Sequence, residues 1–178
     1  KIPVAHLEAG LRTYDKYSPY PEEFNRKAIS ALAEIHFPPT HTAKDRLLQE
    51  GYTEKIFVVG NTVLDNISHI KTSDTNTVIV TLHRREKHDK IDQWFAAINE
   101  LAKKRPDLRF VLPIHPNPMV KKFEYLLTDV EVCSPMGHEE FITSLAECKF
   151  IITDSGGIQE EAAFLRKPCV VCRDFTER

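Results

Sequence analysis

The sequence predicts an α/β protein with two doubly wound, parallel-sheet domains. Short apolar, β-branched runs typical of buried strands alternate along the chain with stretches whose apolar residues recur at helical spacing. Polar or charged residues directly follow several of these strands, which is where ligand-binding groups gather in open α/β sheets. Residues 71–77 are the only segment with a linker-like composition. We therefore assign residues 1–70 to the C-terminal part of a first domain, 71–77 to a linker, and 78–178 to most of a second domain.

The overall composition excludes several classes of protein. The chain has 178 residues, of which 42% are hydrophobic and 28% charged, and its net charge is -2. This balance allows a real core and gives no reason to expect a nucleic acid or an anionic membrane as partner. No apolar run reaches the length of a membrane span, and no signal-peptide pattern opens the chain. Because it begins at Lys1, inside a strand-like phrase, we expect a piece of a longer protein.

The four cysteines are Cys133, Cys148, Cys169 and Cys172. All lie in largely apolar surroundings, and the last two are in a strand-like run, where residues three apart point to opposite faces. We interpret them as core residues with no metal or redox site, which fits a reducing cytoplasm.

In the first half, strands are predicted near residues 2–6, 36–40 and 55–59, and helices over about 22–35, 41–51 and from 63. Glu8 directly follows the first strand. Glu22 and Glu23 fall in the first turn of the first helix, where the helix dipole is a sufficient structural reason for acids. The expected apolar face of that helix consists of Phe24, Ala28, Leu32 and Ile35.

In the second half, strands are predicted at 78–82, 108–114, 130–133 and 169–172, and helices at 91–104, 119–127 and 139–147. His83, Arg84 and Arg85 follow one strand, and His115 follows the next. Arginines suit bidentate binding of phosphate or carboxylate, but a solvated loop with internal ion pairs explains this cluster equally well.

Residues 150–163 form the stretch around which the chain is organised. An apolar strand, Phe150 to Ile152, precedes Ser155, a good N-cap, and the pair Gly156 and Gly157. A helix is expected from Ile158, with Ile158, Ala162 and Leu165 buried and Glu160 and Glu161 directed elsewhere. The amides and dipole at such a helix start form an anion site, and Glu160 or Glu161 is placed to accept hydrogen bonds from ribose hydroxyls. The alternative is a strand–turn–helix connection that binds no ligand, in which glycine only relieves backbone strain.

Seven phrases occur in an order that is far more specific than any one of them. They are HLEAGLRT at 6–13, SPYPEEFNR at 18–26, GNTVLD at 60–65, TLHRRE at 81–86, HPNP at 115–118, DSGGIQEE at 154–161 and RDFTER at 173–178. With them the chain resembles the non-hydrolysing UDP-N-acetylglucosamine 2-epimerase family over essentially its whole length. The resemblance implies two Rossmann-like domains of the GT-B type, the second of them nucleotide-binding. It also implies interconversion of UDP-GlcNAc and UDP-ManNAc, through elimination and re-addition of UDP, for cell-envelope polysaccharide precursors. Neither a nicotinamide nor a metal is implied as cofactor.

The resemblance also implies roles for individual residues. Glu8 and Glu22 match the two catalytic glutamates, and His83 matches the catalytic-site histidine. Ser155, Gly156 and Gly157 fall on the diphosphate-binding turn, Glu160 or Glu161 on the ribose contact, and His115 and Arg84 in the cleft. Arg85 is a weaker match to an allosteric region. A homodimer is the assembly that the resemblance implies.

The chain departs from the family pattern at both ends and at Leu82 and Phe175. The family's first strand, with its Gly-Thr-Arg-Pro-Glu phrase, and an aspartate that precedes the present first residue are absent. We therefore expect the bare 178-residue chain to be inactive. The alternatives are a hydrolysing epimerase, an epimerase of another UDP-HexNAc sugar, a GT-B glycosyltransferase, and a non-catalytic UDP-binding remnant.

Overall fold

A computed structural model describes residues 2–17, 20–82 and 90–173. The described residues form two compact units, one extending to Ser68 and the other beginning at His69. Every strand pair in both units is parallel, as the alternation of strands and helices predicts.

The first unit is built on a parallel pair of short strands, β1 (Ala5–Leu7) and β2 (Ile35–Phe37). Helix α1 (Glu22–Leu32) connects them, and helix α2 (His41–Gln49) follows β2. Thr40 begins α2 as expected of a threonine N-cap, because its side-chain oxygen accepts a hydrogen bond from the amide of Ala43 at 3.1 Å.

Two expectations for the first unit are wrong. Helix α1 ends at Leu32, and its predicted inward residues Phe24 and Leu32 are 62% and 74% exposed, while Glu23 and Ser30 are buried. Residues 55–59 do not form a strand, because they lie beside β2 with a single bridge between His36 and Ile56. The helix expected from residue 63 is present as a 3-10 helix, Thr62–Ile67.

The second unit contains a five-stranded sheet in the order β5-β4-β3-β6-β7. Its strands are β3 (Thr77–Thr81), β4 (Arg109–Pro113), β5 (Glu131–Cys133), β6 (Phe150–Thr153) and β7 (Cys169–Val171). Strand β3, the first strand of this unit along the chain, lies in the centre of the sheet. Strands β4 and β5 are added on one side of β3, and strands β6 and β7 on the other. That reversal of the strand order opens a crevice at the carboxyl ends of β3 and β6, where ligands bind in doubly wound sheets.

The helices of the second unit are α3 (Ile91–Lys104), α4 (Pro118–Lys121), α5 (His138–Glu147) and α6 (Gly156–Phe164), with a 3-10 turn at Glu124–Leu126. Residues 119–127 are therefore two short pieces, where one helix was expected. Helix α3 buries Phe95 and Ile98 in the main core, against alternate residues of the central strands such as Val80 and Leu112. This packing fixes the sheet and thereby the edge that carries the candidate site.

Candidate functional site

The turn between β6 and α6 lies at the crevice where the strand order reverses. At the ends of the neighbouring strands β3 and β6, the hydroxyls of Thr81 and Thr153 are hydrogen-bonded at 2.6 Å, and both residues are buried. The Thr153 hydroxyl also accepts a hydrogen bond from the Ser155 amide at 3.0 Å. The hydroxyl pair therefore fixes the backbone of the turn, a role that the sequence analysis missed because it pairs residues 72 positions apart.

Helix α6 begins earlier than expected, at Gly156, so both glycines belong to its first turn. Ser155 occupies the N-cap position, but its side chain makes no capping hydrogen bond. The expected N-cap residue is therefore confirmed, and its hydroxyl is available to another acceptor or donor. The first-turn amides of a helix have no acceptor within the helix, so this end presents N–H groups and a partial positive charge to an anion.

Gly157 faces open space. A Cβ atom built at this position meets no other atom within 4 Å, so nothing within the described protein requires glycine there. Its φ also lies outside the left-handed region, since no positive φ is recorded for it. A ligand that approaches the backbone closely is a reason for glycine at such a position.

A cavity of about 340 Å³ lies at the same edge of the sheet. It is lined by the ends of β3 and β4, the segment between β5 and α5, and parts of α5 and α6, namely Thr81, Pro113, Ile114, His115, Pro116, Pro135, Met136, Phe141 and Ile158. The wall is mainly apolar, and it includes an aromatic ring and a methionine. Such a wall suits a flat ring, and the sequence analysis missed it because its residues come from segments that are distant in the sequence.

His115 is exposed and lies at this cavity, as expected from its place at a strand end. Its Nδ1 atom accepts a hydrogen bond from the Asn117 amide at 3.2 Å. In the neutral ring the proton is then on Nε2, which makes His115 a hydrogen-bond donor toward a ligand.

The two glutamates of α6 differ in their surroundings. Glu161 is only 9% exposed, while Glu160 is partly exposed. The expectation that both lie away from the buried face is therefore wrong for Glu161. Glu161 lies three residues after Ile158 and four after Gly157, on one side of the helix, and Ile158 lines the cavity. Glu161 is accordingly the better placed of the two for a ligand that occupies this edge.

In the first unit, the structure places Glu8 directly after β1 and Glu22 in the first turn of α1. Glu8 has a φ of 59°, a left-handed conformation that costs a non-glycine residue on the order of 1 kcal/mol and often marks functional positions. Glu22 is exposed, whereas its neighbour Glu23 is fully buried. His83, Arg84 and Arg85 lie outside the described residues, as does most of RDFTER.

The second unit thus has the architecture of nucleotide-binding α/β domains, with a helix N-terminus and a ring-sized cavity at the switch point of a parallel sheet. The model of the family UDP-N-acetylglucosamine 2-epimerase matches residues 1–178. The chain belongs to this family, which confirms the resemblance drawn from the motifs.

Individual relatives agree with the family match. The UDP-N-acetylglucosamine 2-epimerases of Neisseria meningitidis and Bacillus subtilis are 42% and 40% identical, each over all of this chain and over 55% and 51% of their own length. The solved structure of the Neisseria meningitidis enzyme bound to UDP-GlcNAc has a TM-score of 0.89 at 40% identity and is matched over 99% of this chain and 54% of its own. A structure of S. aureus MnaA with UDP has a TM-score of 0.91 at 39% identity over 99% of this chain and 53% of its own. These structures confirm the expected fold class, and the chain spans about half the length of the relatives it matches.

Proposed function

We propose that this chain carries catalytic and nucleotide-binding residues of an enzyme that interconverts UDP-GlcNAc and UDP-ManNAc without hydrolysis. The observation that carries the proposal is the glycine-lined start of α6 beside the cavity at the switch point, in a chain of the UDP-N-acetylglucosamine 2-epimerase family. Both glutamates implied as catalytic are also present, each at the end or start of an element in the first unit.

UDP is proposed to bind along the carboxyl edge of the second unit. Its diphosphate lies at the first-turn amides of α6 and over Gly157, with the Ser155 hydroxyl as a further donor. The uracil ring occupies the cavity against Phe141 and Met136. The ribose hydroxyls then come within reach of Glu161, which follows Gly157 by one helical turn.

The proposed reaction removes the C2 proton and the diphosphate from one sugar. A carboxylate, Glu8 or Glu22, takes the proton from C2; the C2–H electron pair forms the C1=C2 double bond, and the bond from C1 to the UDP oxygen breaks. Charge that builds on the departing diphosphate is stabilised by the helix amides. In the re-addition, a lone pair of the UDP oxygen forms the bond to C1, and the C1=C2 electron pair takes a proton on the other face of C2 from the second glutamate, which is in its carboxylic acid form. The first glutamate releases its proton to solvent, and the product is the epimer.

The proposal also covers the biosynthetic role, the assembly and the cellular location of the enzyme. A role in cell-envelope polysaccharide precursor synthesis and a homodimeric assembly rest on the family relationship alone. A cytoplasmic location is supported by the four cysteines, all of which are free thiols. Among the described residues, no helix is both long and apolar enough to cross a bilayer.

Incubation with UDP-GlcNAc in D2O, followed by NMR at C2, tests the reaction in the full-length enzyme that carries this sequence. Deuterium at C2 together with UDP-ManNAc is the expected result. Free ManNAc and UDP would assign the protein to a hydrolysing branch instead, and a substrate that stays fully protonated at C2 would contradict the proposal.

Substitution of Glu22 identifies the catalytic carboxylate within this test. Glu22→Gln is expected to slow C2 exchange by about 100-fold or more, because proton transfer by a positioned base contributes roughly that much. The matched control is Glu54→Gln, which makes the same chemical change at an exposed loop position of the same unit. Equal exchange rates in the two variants would remove Glu22 from the mechanism.

A further inference from the structure

Glu23 lies beside the proposed catalytic Glu22 but in a different environment. It is 0% exposed, and its two carboxylate oxygens accept hydrogen bonds from the backbone amides of Thr13 at 3.0 Å and Tyr14 at 3.1 Å. The ammonium of Lys27, one helical turn later, is 3.8 Å from the same carboxylate. Both oxygens of Glu23 are therefore bound by the protein, and a fully buried carboxylate in such contacts is not accessible to an external substrate.

Arg12 makes a second connection between helix α1 and the segment that contains Thr13 and Tyr14. Its side chain is fully buried, and Nε and Nη2 donate to the two carboxylate oxygens of Glu50, each at 2.8 Å. Nη2 also donates to the Ser30 hydroxyl at 3.0 Å, and Nη1 to the Leu11 carbonyl at 2.9 Å. The Ser30 hydroxyl in turn lies 3.2 Å from Nδ1 of His6 in β1.

These contacts hold one segment against one helix. Residues 8–14 begin with Glu8 and end with the two amides bound by Glu23, while Arg12 binds Ser30 in the last turns of α1. The segment is thus attached to α1 near both ends of the helix. Glu22 is displaced whenever the first turn of α1 moves relative to the segment that carries Glu8.

We propose that Glu23 is a positioning residue that sets the placement of Glu22 relative to Glu8, and that it does not itself touch substrate. The inference rests on the proposed function. It divides the adjacent glutamates of the Pro-Glu-Glu phrase into one that acts on substrate and one that holds the loop.

The test compares Glu23→Gln with Glu22→Gln in the full-length enzyme that carries this sequence. Two quantities are measured for each variant: steady-state turnover of UDP-GlcNAc over a range of pH, and hydrogen-deuterium exchange of the Thr13 and Tyr14 amides. A Gln at position 23 keeps one acceptor oxygen but turns an NH2 group toward a backbone N–H, so one of the two amides loses its partner.

Glu23→Gln is expected to expose at least one of the two amides to exchange and to lower kcat by about 100-fold, the effect of a small misplacement of a catalytic group. KM should change by less than roughly threefold, because UDP is bound by the other unit. The pH profile of the residual activity should keep its wild-type shape, since the catalytic carboxylates remain. Glu22→Gln should lower kcat while leaving both amides protected.

Glu23→Asp provides a milder variant, because it keeps the charge and shortens the side chain by one methylene. Intermediate values of both amide protection and kcat are expected. Wild-type kcat in a variant with unprotected amides would overturn the positioning role, and lost kcat with fully protected amides would mean that Glu23 acts on substrate. If the wild-type enzyme shows no exchange at C2, the proposed function fails, while amide protection still reports whether Glu23 holds the loop.

Discussion

At the scale of single residues, neighbours of identical or similar type have different tasks. Glu22 is exposed and Glu23 is buried, although both occupy the first turn of α1. In the same way Glu160 is partly exposed while Glu161 is buried. The sequence identifies such pairs as candidates, but the partners that distinguish their members, such as the amides of residues 13 and 14, come from the rest of the fold.

Gly157→Ala provides the most direct test of the proposed diphosphate site. The new methyl group meets no protein atom within 4 Å, and alanine favours a helix over glycine by about 0.5–1 kcal/mol, so thermal stability should be kept or raised. UDP affinity should fall at least tenfold, roughly 1.4 kcal/mol, because the methyl group occupies space proposed for phosphate. Isothermal titration with UDP and a thermal melt measure the two effects.

The control for this variant is Ala163→Ser, a small change at an exposed position later in the same helix. It should leave UDP affinity unchanged. If Gly157→Ala binds UDP as tightly as the control does, the diphosphate does not lie over this turn.

At the scale of elements, the inner strands β3, β4 and β6 of the second unit were predictable because each carries a continuous apolar run that is buried on both faces, whereas β5 and β7 are partly exposed. The bounds of α3 agree with the prediction, since its apolar spacing extends over 14 residues. Helix α1 was predictable in position but not in orientation. Its buried residues are polar, because they bind the loop that contains Arg12 and the amides of residues 13 and 14. Apolar periodicity carries no information about such long-range polar contacts.

The candidate site was also predictable only in part. Ser155 and the two glycines could be identified, because strand, turn and helix are adjacent in the sequence. Within the cavity wall, His115 could be identified from its place after a strand, but the contribution of Phe141 and Met136 could not, since they come from separate segments that only the sheet order brings to this edge.

Gly10 tests the packing of the loop after β1 on helix α2. Its φ is 79°, and a Cβ at this position would lie 2.1 Å from the Ala43 carbonyl oxygen, a contact with backbone that cannot move aside easily. Gly10→Ala should therefore lower the free energy of unfolding of the first unit by about 3 kcal/mol or more, combining strain with the clash. Urea unfolding followed by circular dichroism measures the change.

Gly60→Ala is the matched control for this variant, because Gly60 has the same φ of 79° and a Cβ there meets nothing within 4 Å. It should cost about 1 kcal/mol, the strain term alone. The difference between the two variants isolates the close approach to α2. Equal losses would show that the loop does not pack on Ala43 in solution.

At the scale of the whole molecule, the two units should respond to opposite ends of the pH range. In the first unit, burial lowers the pKa of His6 to about 4, with smaller contributions from Arg12, His36 and Arg26. Burial and Arg12 also lower the pKa of His36, which is the direct strand partner of His6. The folded state thus favours the neutral rings, so their stabilising contribution is present above the unfolded pKa of about 6.5 and is lost as pH falls from there toward 4.

In the second unit, the groups whose stabilising contribution is lost as pH rises are thiols. Burial raises the pKa of Cys148 to about 11 and also raises the pKa values of Cys133 and Cys169. The folded state retains these protons, so the stabilising contribution is present below the unfolded pKa of about 8.5 and is lost as pH rises through 9 toward 11. Acid should destabilise the second unit only at lower pH, because Lys167 lowers the pKa of Asp74 and Arg109 that of Glu131, and both carboxylates are largely exposed and contribute little.

Trp94 allows the two responses to be separated, because it is the only tryptophan and packs against the core of the second unit. Its fluorescence therefore reports the second unit alone, whereas far-ultraviolet circular dichroism reports both. Between pH 7 and pH 5, the urea midpoint of the dichroism transition assigned to the first unit should fall, by a free energy on the order of 2 kcal/mol, while the Trp94 midpoint stays nearly constant. At pH 9.5 the Trp94 midpoint should fall instead.

Two variants assign these responses to single residues. His6→Gln should reduce the fall of the urea midpoint in acid, and Cys148→Ala should reduce its fall at alkaline pH, each measured against the same variant at pH 7. Coincident transitions with the same pH dependence by both probes would show that the units unfold as one and would contradict the assignment of each response to its own unit.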